Sequence, residues 1–174
     1  MRLFTAINFN SATKSKLIML RDDLKNNSSR GNFTAPENMH LTLVFIGECD
    51  ARQTAAVRAA VDIINFFPFE LTIDRVGRFA RGGGDIWWAG ISFCGALSTL
   101  HADLLKNLMR AGFKPDARKY EPHVTLGREV AANYEPKKIE PFGETVARID
   151  LMKSERVNGR LVYTEIYGKS AAVS

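Results

Sequence analysis

Asn38-Met39-His40-Leu41-Thr42-Leu43-Val44-Phe45-Ile46 is the stretch on which the reading of this chain turns. Its apolar and polar residues suit a β-strand, where side chains alternate between faces with a period of two. His40 and Thr42 then share one face, while Leu41 and Leu43 point the other way, into a core. The pattern returns at Pro122-His123-Val124-Thr125-Leu126-Gly127. There His123 and Thr125 share a face, against Val124 and Leu126. Each strand presents an imidazole beside a hydroxyl and is held from behind by an apolar face.

The surroundings of the two strands repeat as well. Residues 3–9 read as a strand, and Ser11 as the cap of a helix whose leucines at 17, 20 and 24 share a face. That helix leads to the strand at 38–46. In the second half, residues 86–93 read as a strand and 97–111 as a helix with Leu97, Leu100, Leu104 and Leu108 on one side. Gly112 closes this helix, and the strand at 122–127 follows. The 83-residue offset between the two histidines also maps Leu3 onto Ile86. Two copies of a β-α-β run at so long a period indicate a duplication rather than a solenoid.

The remaining segments fill out the plan. Residues 26–31 read as a polar loop, Asp50 as the cap of a helix over 51–65, and 69–79 as a strand. Arg81-Gly82-Gly83-Gly84-Asp85 reads as a flexible turn, and residues 133–143, with two prolines, as irregular. Strands at 145–153 and 160–167 meet at Asn158-Gly159, a strong hairpin signal. The expected fold is α+β: a single bilobal domain over residues 1–174, pseudo-two-fold symmetric, with antiparallel sheets flanking a central cleft.

Composition narrows the classes. Hydrophobic residues are 45% and charged residues 25% of the 174, an ordinary globular mix. A chain of this length can bury a core without disulfides or metals. The net charge of +5 suits an anionic substrate without demanding one. Cys49 and Cys94 form neither a CxxC nor a Cys/His cluster, which argues against a zinc module or a disulfide framework. The N-terminus MRLFTAINFN lacks a signal-peptide pattern. No run approaches the roughly 20 apolar residues of a membrane helix. A cytoplasmic protein without membrane contact is expected.

Two strands brought together across a pseudo-two-fold axis would offer two imidazoles and two hydroxyls to one ligand. That set suits phosphodiester transfer. One imidazole takes a proton from the attacking oxygen and the other gives one to the leaving oxygen, since an imidazole titrates near working pH. Thr42 and Thr125 can hydrogen-bond the non-bridging oxygens. Arg128, five residues past His123, can stabilise charge building on phosphorus. A single His-x-Thr would be weak, because such tripeptides arise by chance and half-buried histidines are mostly structural. Two in a repeated frame carry far more. His101, on a helix without a companion motif, reads as a surface histidine. Trp87 and Trp88 are adjacent on a strand, so one should be buried and the other should face outward or into a cleft. The arginines at 75, 78 and 81 read as solvated, and the Gly82–Gly84 run lacks the lysine and helix of a P-loop.

At these residues the chain resembles the 2H phosphoesterase superfamily, named for paired His-x-Thr motifs. It looks most like the bacterial RNA 2',3'-cyclic phosphodiesterases, also called 2'-5' RNA ligases. The likeness runs from Arg2-Leu3-Phe4-Thr5-Ala6-Ile7 through Glu37–Glu48, Trp87-Trp88-Ala89-Gly90 and Tyr120–Arg128 to Gly159-Arg160-Leu161-Val162-Tyr163. It implies metal-independent, cofactor-free opening of 2',3'-cyclic phosphates on RNA ends to 2'-phosphates; a monomer is expected, although the sequence itself does not set the oligomeric state. It implies His40 as proton donor to the leaving 3' oxygen, His123 as the base that activates water, and Thr42, Thr125 and Arg128 as the phosphate holders. It also implies that RNA ends can be joined through a 2'-5' linkage.

Overall fold

Every strand pairing among residues 1–173, the part of the chain described by the computed structural model, is antiparallel and belongs to one of two sheets. The first sheet contains β1 (Arg2–Asn8), β3 (His40–Glu48), β8 (Arg148–Val157) and β9 (Arg160–Ser170), in the order β3-β1-β8-β9. The second contains β2 (Ser28–Phe33), β4 (Phe69–Phe79), β5 (Asp85–Ile91), β6 (His123–Ala132) and β7 (Lys137–Val146), in the order β2-β6-β5-β4-β7. The helices are α1 (Ser11–Asn26), α2 (Ala51–Asp62) and α3 (Gly95–Arg110), with a 3-10 turn at Pro36–Asn38. The architecture is the expected duplicated α+β arrangement.

The two halves exchange their connections. α1 leaves β1 of the first sheet but packs on β2, β6 and β7 of the second. β2 follows α1 and pairs with β6 before the chain returns to β3. In the mirror arrangement, α3 leaves β5 of the second sheet and packs on α2 and on β3 of the first. One apolar cluster therefore runs beneath both sheets. It joins Leu17 and Leu24 of α1, Leu41 and Leu43 of β3, Leu97 and Leu104 of α3, and Val124 and Leu126 of β6. The backs of both His-x-Thr strands are anchored in that cluster, so neither motif can shift without disturbing the core.

Local chemistry sets the element ends. Asp50 caps α2 through a full capping box: its side chain accepts from the Gln53 N–H at 2.7 Å, and the Gln53 side chain accepts from the Asp50 N–H at 2.9 Å. Asn158 and Gly159 both take positive φ, the primed-turn geometry that closes the β8–β9 hairpin. Five expectations need correcting. The strand expected over 145–153 is divided: residues 145–146 end β7, and 148–153 open β8, which runs on to Val157. The cap of α1 is Asn10, whose side chain accepts from the Thr13 N–H at 2.9 Å, so Ser11 is already inside the helix. α2 ends at Asp62, short of residue 65. The polar segment 26–31 closes α1 and then forms most of β2, and 133–143 contributes most of β7. Both strands lie at sheet edges, where one side faces solvent and sequence alternation is weak. Pro141 is accommodated in β7 because it falls where the register with β4 shifts, between the Ile73↔Phe142 and Arg75↔Lys138 pairs.

The cap makes a direct stability test. Asp50→Ala should lower unfolding free energy by about 1 kcal/mol, read as a lower urea midpoint at unchanged m-value.

Candidate active site

His40–Phe45 and His123–Arg128 share one exposure pattern: half-buried, buried, half-buried, buried, buried, exposed. Two buried residues in succession break simple alternation, and the pairing explains why. Thr5 faces Val44 while the next residue, Ala6, faces Thr42. Trp88 faces Thr125 while its neighbour Trp87 faces Gly127. Each motif strand thus bulges by one residue just past its threonine. The bulge reverses parity, so a residue five positions after the histidine returns to the histidine's face. Strict alternation would have turned Arg128 away; the bulge turns it back. Its counterpart in the first half is Phe45, which carries the Arg2 guanidinium 4.9 Å above its ring.

Both imidazoles are held in the same way. His40 Nδ1 lies 2.8 Å from the Asn38 carbonyl oxygen and His123 Nδ1 lies 2.6 Å from that of Glu121, in each case two residues upstream. A carbonyl only accepts, so Nδ1–H must donate, and Nε2 is left as the working nitrogen. His40 Nε2 sits 2.9 Å from the Thr42 hydroxyl. His123 Nε2 has no protein partner among the described residues. Aromatic rings fix the planes: Phe4 and Tyr163 flank His40 at 5.0 Å each, and Phe79 meets His123 edge-on at 5.3 Å.

The electrostatics tie the two motifs together. Burial pushes the His40 imidazole below its ordinary pKa, the hydrogen bond to Asn38 opposes this, and the charges of Arg128 and His123 lower it further. Burial likewise lowers His123, the Glu121 carbonyl opposes it, and Arg128 again lowers it. One guanidinium therefore acts on both rings, and each half contributes one ring. β3 and β6 lie against each other although they belong to different sheets.

Two reciprocal hydrogen bonds brace this contact, and sequence reading had not singled them out. The Tyr120 hydroxyl, three residues before His123, donates to the Thr42 carbonyl at 2.8 Å. The Thr34 hydroxyl, six residues before His40, donates to the Thr125 carbonyl at 2.8 Å. Each segment leading into one motif thus grips the other. Tyr120 is itself held by His101, stacked parallel on it with centroids 3.8 Å apart. His101 is buried, not a surface residue, and burial lowers its pKa. Its position on the apolar stripe between Leu97 and Leu104 was the available signal. Phe4 and Tyr163 lay within the quoted likeness but were given no role.

Of the residues expected in the site, His40, His123 and Arg128 lie near enough for charge to act between them, Thr42 reaches the His40 ring, and Thr125 meets the junction through its main-chain carbonyl. Trp87 is buried, and Trp88 is half-exposed beside His123, with centroids 6.2 Å apart. Both cysteines are free. Among the described residues, no group of three or more His, Cys, Asp or Glu side chains is placed to hold a metal ion. No helix there is long and apolar enough to cross a membrane. Two Nε2 atoms, hydroxyls and a shared guanidinium can hold a phosphate and move protons at its two ends.

Comparison with known proteins agrees with this geometry. A family model described as the 2'-5' RNA ligase superfamily matches residues 9–158. An RNA 2',3'-cyclic phosphodiesterase from Archaeoglobus fulgidus is 30% identical over 155 residues, covering 85% of this chain and 87% of the relative. Its Escherichia coli namesake is 29% identical over 170 residues, covering 95% and 93%. The crystal structure of E. coli LigT complexed with 3'-AMP superposes with a TM-score of 0.87 at 26% identity, covering 99% of this chain and 98% of that one.

The shared guanidinium predicts a linked titration. Arg128→Ala removes a positive neighbour from both imidazoles, so both pKa values should rise. Following the ring carbon signals of His40 and His123 by NMR checks this. If neither titration moves upward, Arg128 is not the common neighbour.

Proposed function

The chain belongs to the 2'-5' RNA ligase superfamily and is a phosphoesterase, and from that premise we propose that it hydrolyses 2',3'-cyclic phosphates at RNA ends to 2'-phosphomonoesters without a metal. The relatives named RNA 2',3'-cyclic phosphodiesterase support the substrate class. One observation carries the mechanism: both Nδ1 atoms are committed to main-chain carbonyls, which leaves both Nε2 atoms for proton transfer beside a single guanidinium.

His123 Nε2 takes a proton from water as the water oxygen bonds to phosphorus. The P–O3' bond breaks on the opposite side, and His40 Nε2 donates its proton to O3'. The phosphate stays on O2'. Thr42, Thr125 and Arg128 hold the non-bridging oxygens, and Arg128 offsets the charge that grows on them. The division of labour follows the family likeness. It also suits the Thr42 hydroxyl, which can accept from a protonated His40 Nε2, and the unpartnered Nε2 of His123. The reading needs only one chain, since it carries both motifs. A ribose 5'-hydroxyl in place of water gives a 2'-5' linkage with the same proton transfers; water, being abundant, favours hydrolysis.

The direct experiment is to incubate RNA ending in a 2',3'-cyclic phosphate with the enzyme and a chelator. A 2'-phosphate product is expected; a 3'-phosphate, or loss of activity on chelation, would overturn the proposal. His40→Ala and His123→Ala should each slow turnover by about 10²–10⁴-fold. A loss under tenfold for either would remove it from its role. The pH dependence has a definite sign. The bell in kcat/KM reports the free enzyme, where both imidazoles lie below 6.5, so it should centre on the acid side of 6.5. Bound anionic substrate favours imidazolium, so the kcat bell should lie at higher pH.

A further inference from the structure

The Arg128 guanidinium acts on both imidazoles, and its charge is felt at Tyr163 of the first sheet as well. Its side chain is exposed and, among the described residues, makes no hydrogen bond or ion pair to protein, so its aim comes from the backbone that carries it. Beyond the bulge at Thr125, that backbone bulges a second time, and both neighbouring strands record it. β6 advances from Gly127 to Val130 while β5 moves only from Trp87 to Asp85. It advances from Arg128 to Ala131 while β2 moves only from Asn32 to Arg30. Arg128 thus sits between two bulges: the first chooses its face and the second sets its tilt.

The second bulge turns at Glu129, which holds φ at +53°, a region where a side chain costs strain. The first half meets the same need with a glycine. Gly47 takes φ +101° where β1 and β3 slip register between Leu3 and Phe4, at no steric cost. Glu129 is clamped instead. Asn32 Nδ2 donates to its carboxylate at 2.6 Å, and Asn32 is the register partner of Arg128 on β2. On the other side the β4–β5 turn lies against the kink: a Cβ on Gly84 would stand 2.5 Å from the Glu129 carbonyl carbon. The clamp also governs charge. Glu129 follows Arg128 directly in the chain, yet its carboxylate is turned to Asn32. A guanidinium paired with a carboxylate would have fewer donors to offer a phosphate.

We propose that the Asn32–Glu129 hydrogen bond is a positioning device for Arg128, fixing the kink that aims the guanidinium at the junction of the two motifs and keeping the neighbouring carboxylate off it. Asn32 and Glu129 are positioning residues that act through Arg128. The proposal rests on the phosphodiesterase reading only for what Arg128 holds. It gives β2 a function: the strand that α1 delivers to the second sheet carries the residue that orients the arginine.

Asn32→Ala is the cleanest test, because it removes the donor and changes no charge. With Glu129 released, Arg128 loses its aim and gains a competing anion, so its repulsion of both imidazolium ions weakens. Both histidine pKa values should rise, in the same direction as in Arg128→Ala and by less, as read from the ring carbon signals of the free protein. With RNA ending in a 2',3'-cyclic phosphate, kcat should fall by roughly 10- to 100-fold, the scale of a small displacement of a catalytic group. KM should change much less, since charge on the non-bridging oxygens grows toward the transition state. Asn32→Asp combined with Glu129→Gln keeps the wild-type charge and reverses the hydrogen bond, the new amide donating to the new carboxylate, so it should restore both titrations and kcat. Both positions are exposed, and the urea midpoint checks that the variants fold. Wild-type titrations and kcat in Asn32→Ala, or a loss that the exchange fails to restore, would sink the clamp. Arg128→Ala separates the two readings. If it moves both titrations and leaves kcat intact, the phosphate-holding role fails and the titrations alone decide the clamp. If it abolishes turnover while Asn32→Ala changes nothing, the clamp fails and the phosphodiesterase reading stands.

Discussion

The structure depends on the approach of two strands that share no sheet. β3 and β6 carry the two imidazoles, and between them run the bonds from Tyr120 to the Thr42 carbonyl and from Thr34 to the Thr125 carbonyl. Single hydrogen bonds of this kind contribute only about 1 kcal/mol net, while an unmet buried carbonyl costs more than that. Their weight lies in direction. Each fixes the backbone of one motif relative to the segment that launches the other, so the spacing of the rings is set from both sides. The exchange of α1 and α3 between sheets adds the bulk. A lobe cannot swing away without pulling its helix off the opposite sheet and opening the common apolar core.

Within that frame, the tautomer of each histidine is decided by main chain rather than by a carboxylate. An acidic partner at Nδ1 would favour the imidazolium strongly. A carbonyl favours Nδ1–H in either protonation state and biases the charge much less. Burial and Arg128 then keep both rings below their ordinary pKa. Such a site rests with both rings mostly neutral near pH 7, and an anionic substrate favours the imidazolium form when it arrives.

Much of this was legible in the sequence because local rules governed it. The period-two pattern at His40–Leu43 and His123–Leu126 identified the strands, their shared faces and their buried backs. Asp50 and Asn158-Gly159 announced a cap and a turn through side-chain and φ preferences that act over a few residues. What escaped detection was set by partners far away in the chain. β2 is a strand because β6 offers it a ladder, although Ser28–Phe33 carries little apolar alternation. β7 keeps a proline because its register with β4 slips there. The return of Arg128 to the histidine face needs a bulge defined by Trp87 and Trp88 on another strand. His101 is buried because Tyr120, contributed by a loop, lies flat on it.

The duplication also explains why the two halves can do different chemistry on one plan. Strand, bulge, upstream carbonyl and bracing hydroxyl are repeated, which places two Nε2 atoms symmetrically at low cost in sequence information. The differences sit at the positions that the bulges present. Arg128 in one half corresponds to Phe45 in the other, so positive charge enters from β6 while the first half borrows Arg2 onto an aromatic face. His40 is enclosed by Phe4 and Tyr163 with its Nε2 on Thr42, whereas His123 looks past Phe79 toward an open cavity. A donor is best kept where water cannot compete for its proton, and a base where a nucleophile can reach it. The symmetric scaffold positions the pair, and on the proposed mechanism the broken symmetry around it would sort donor from base.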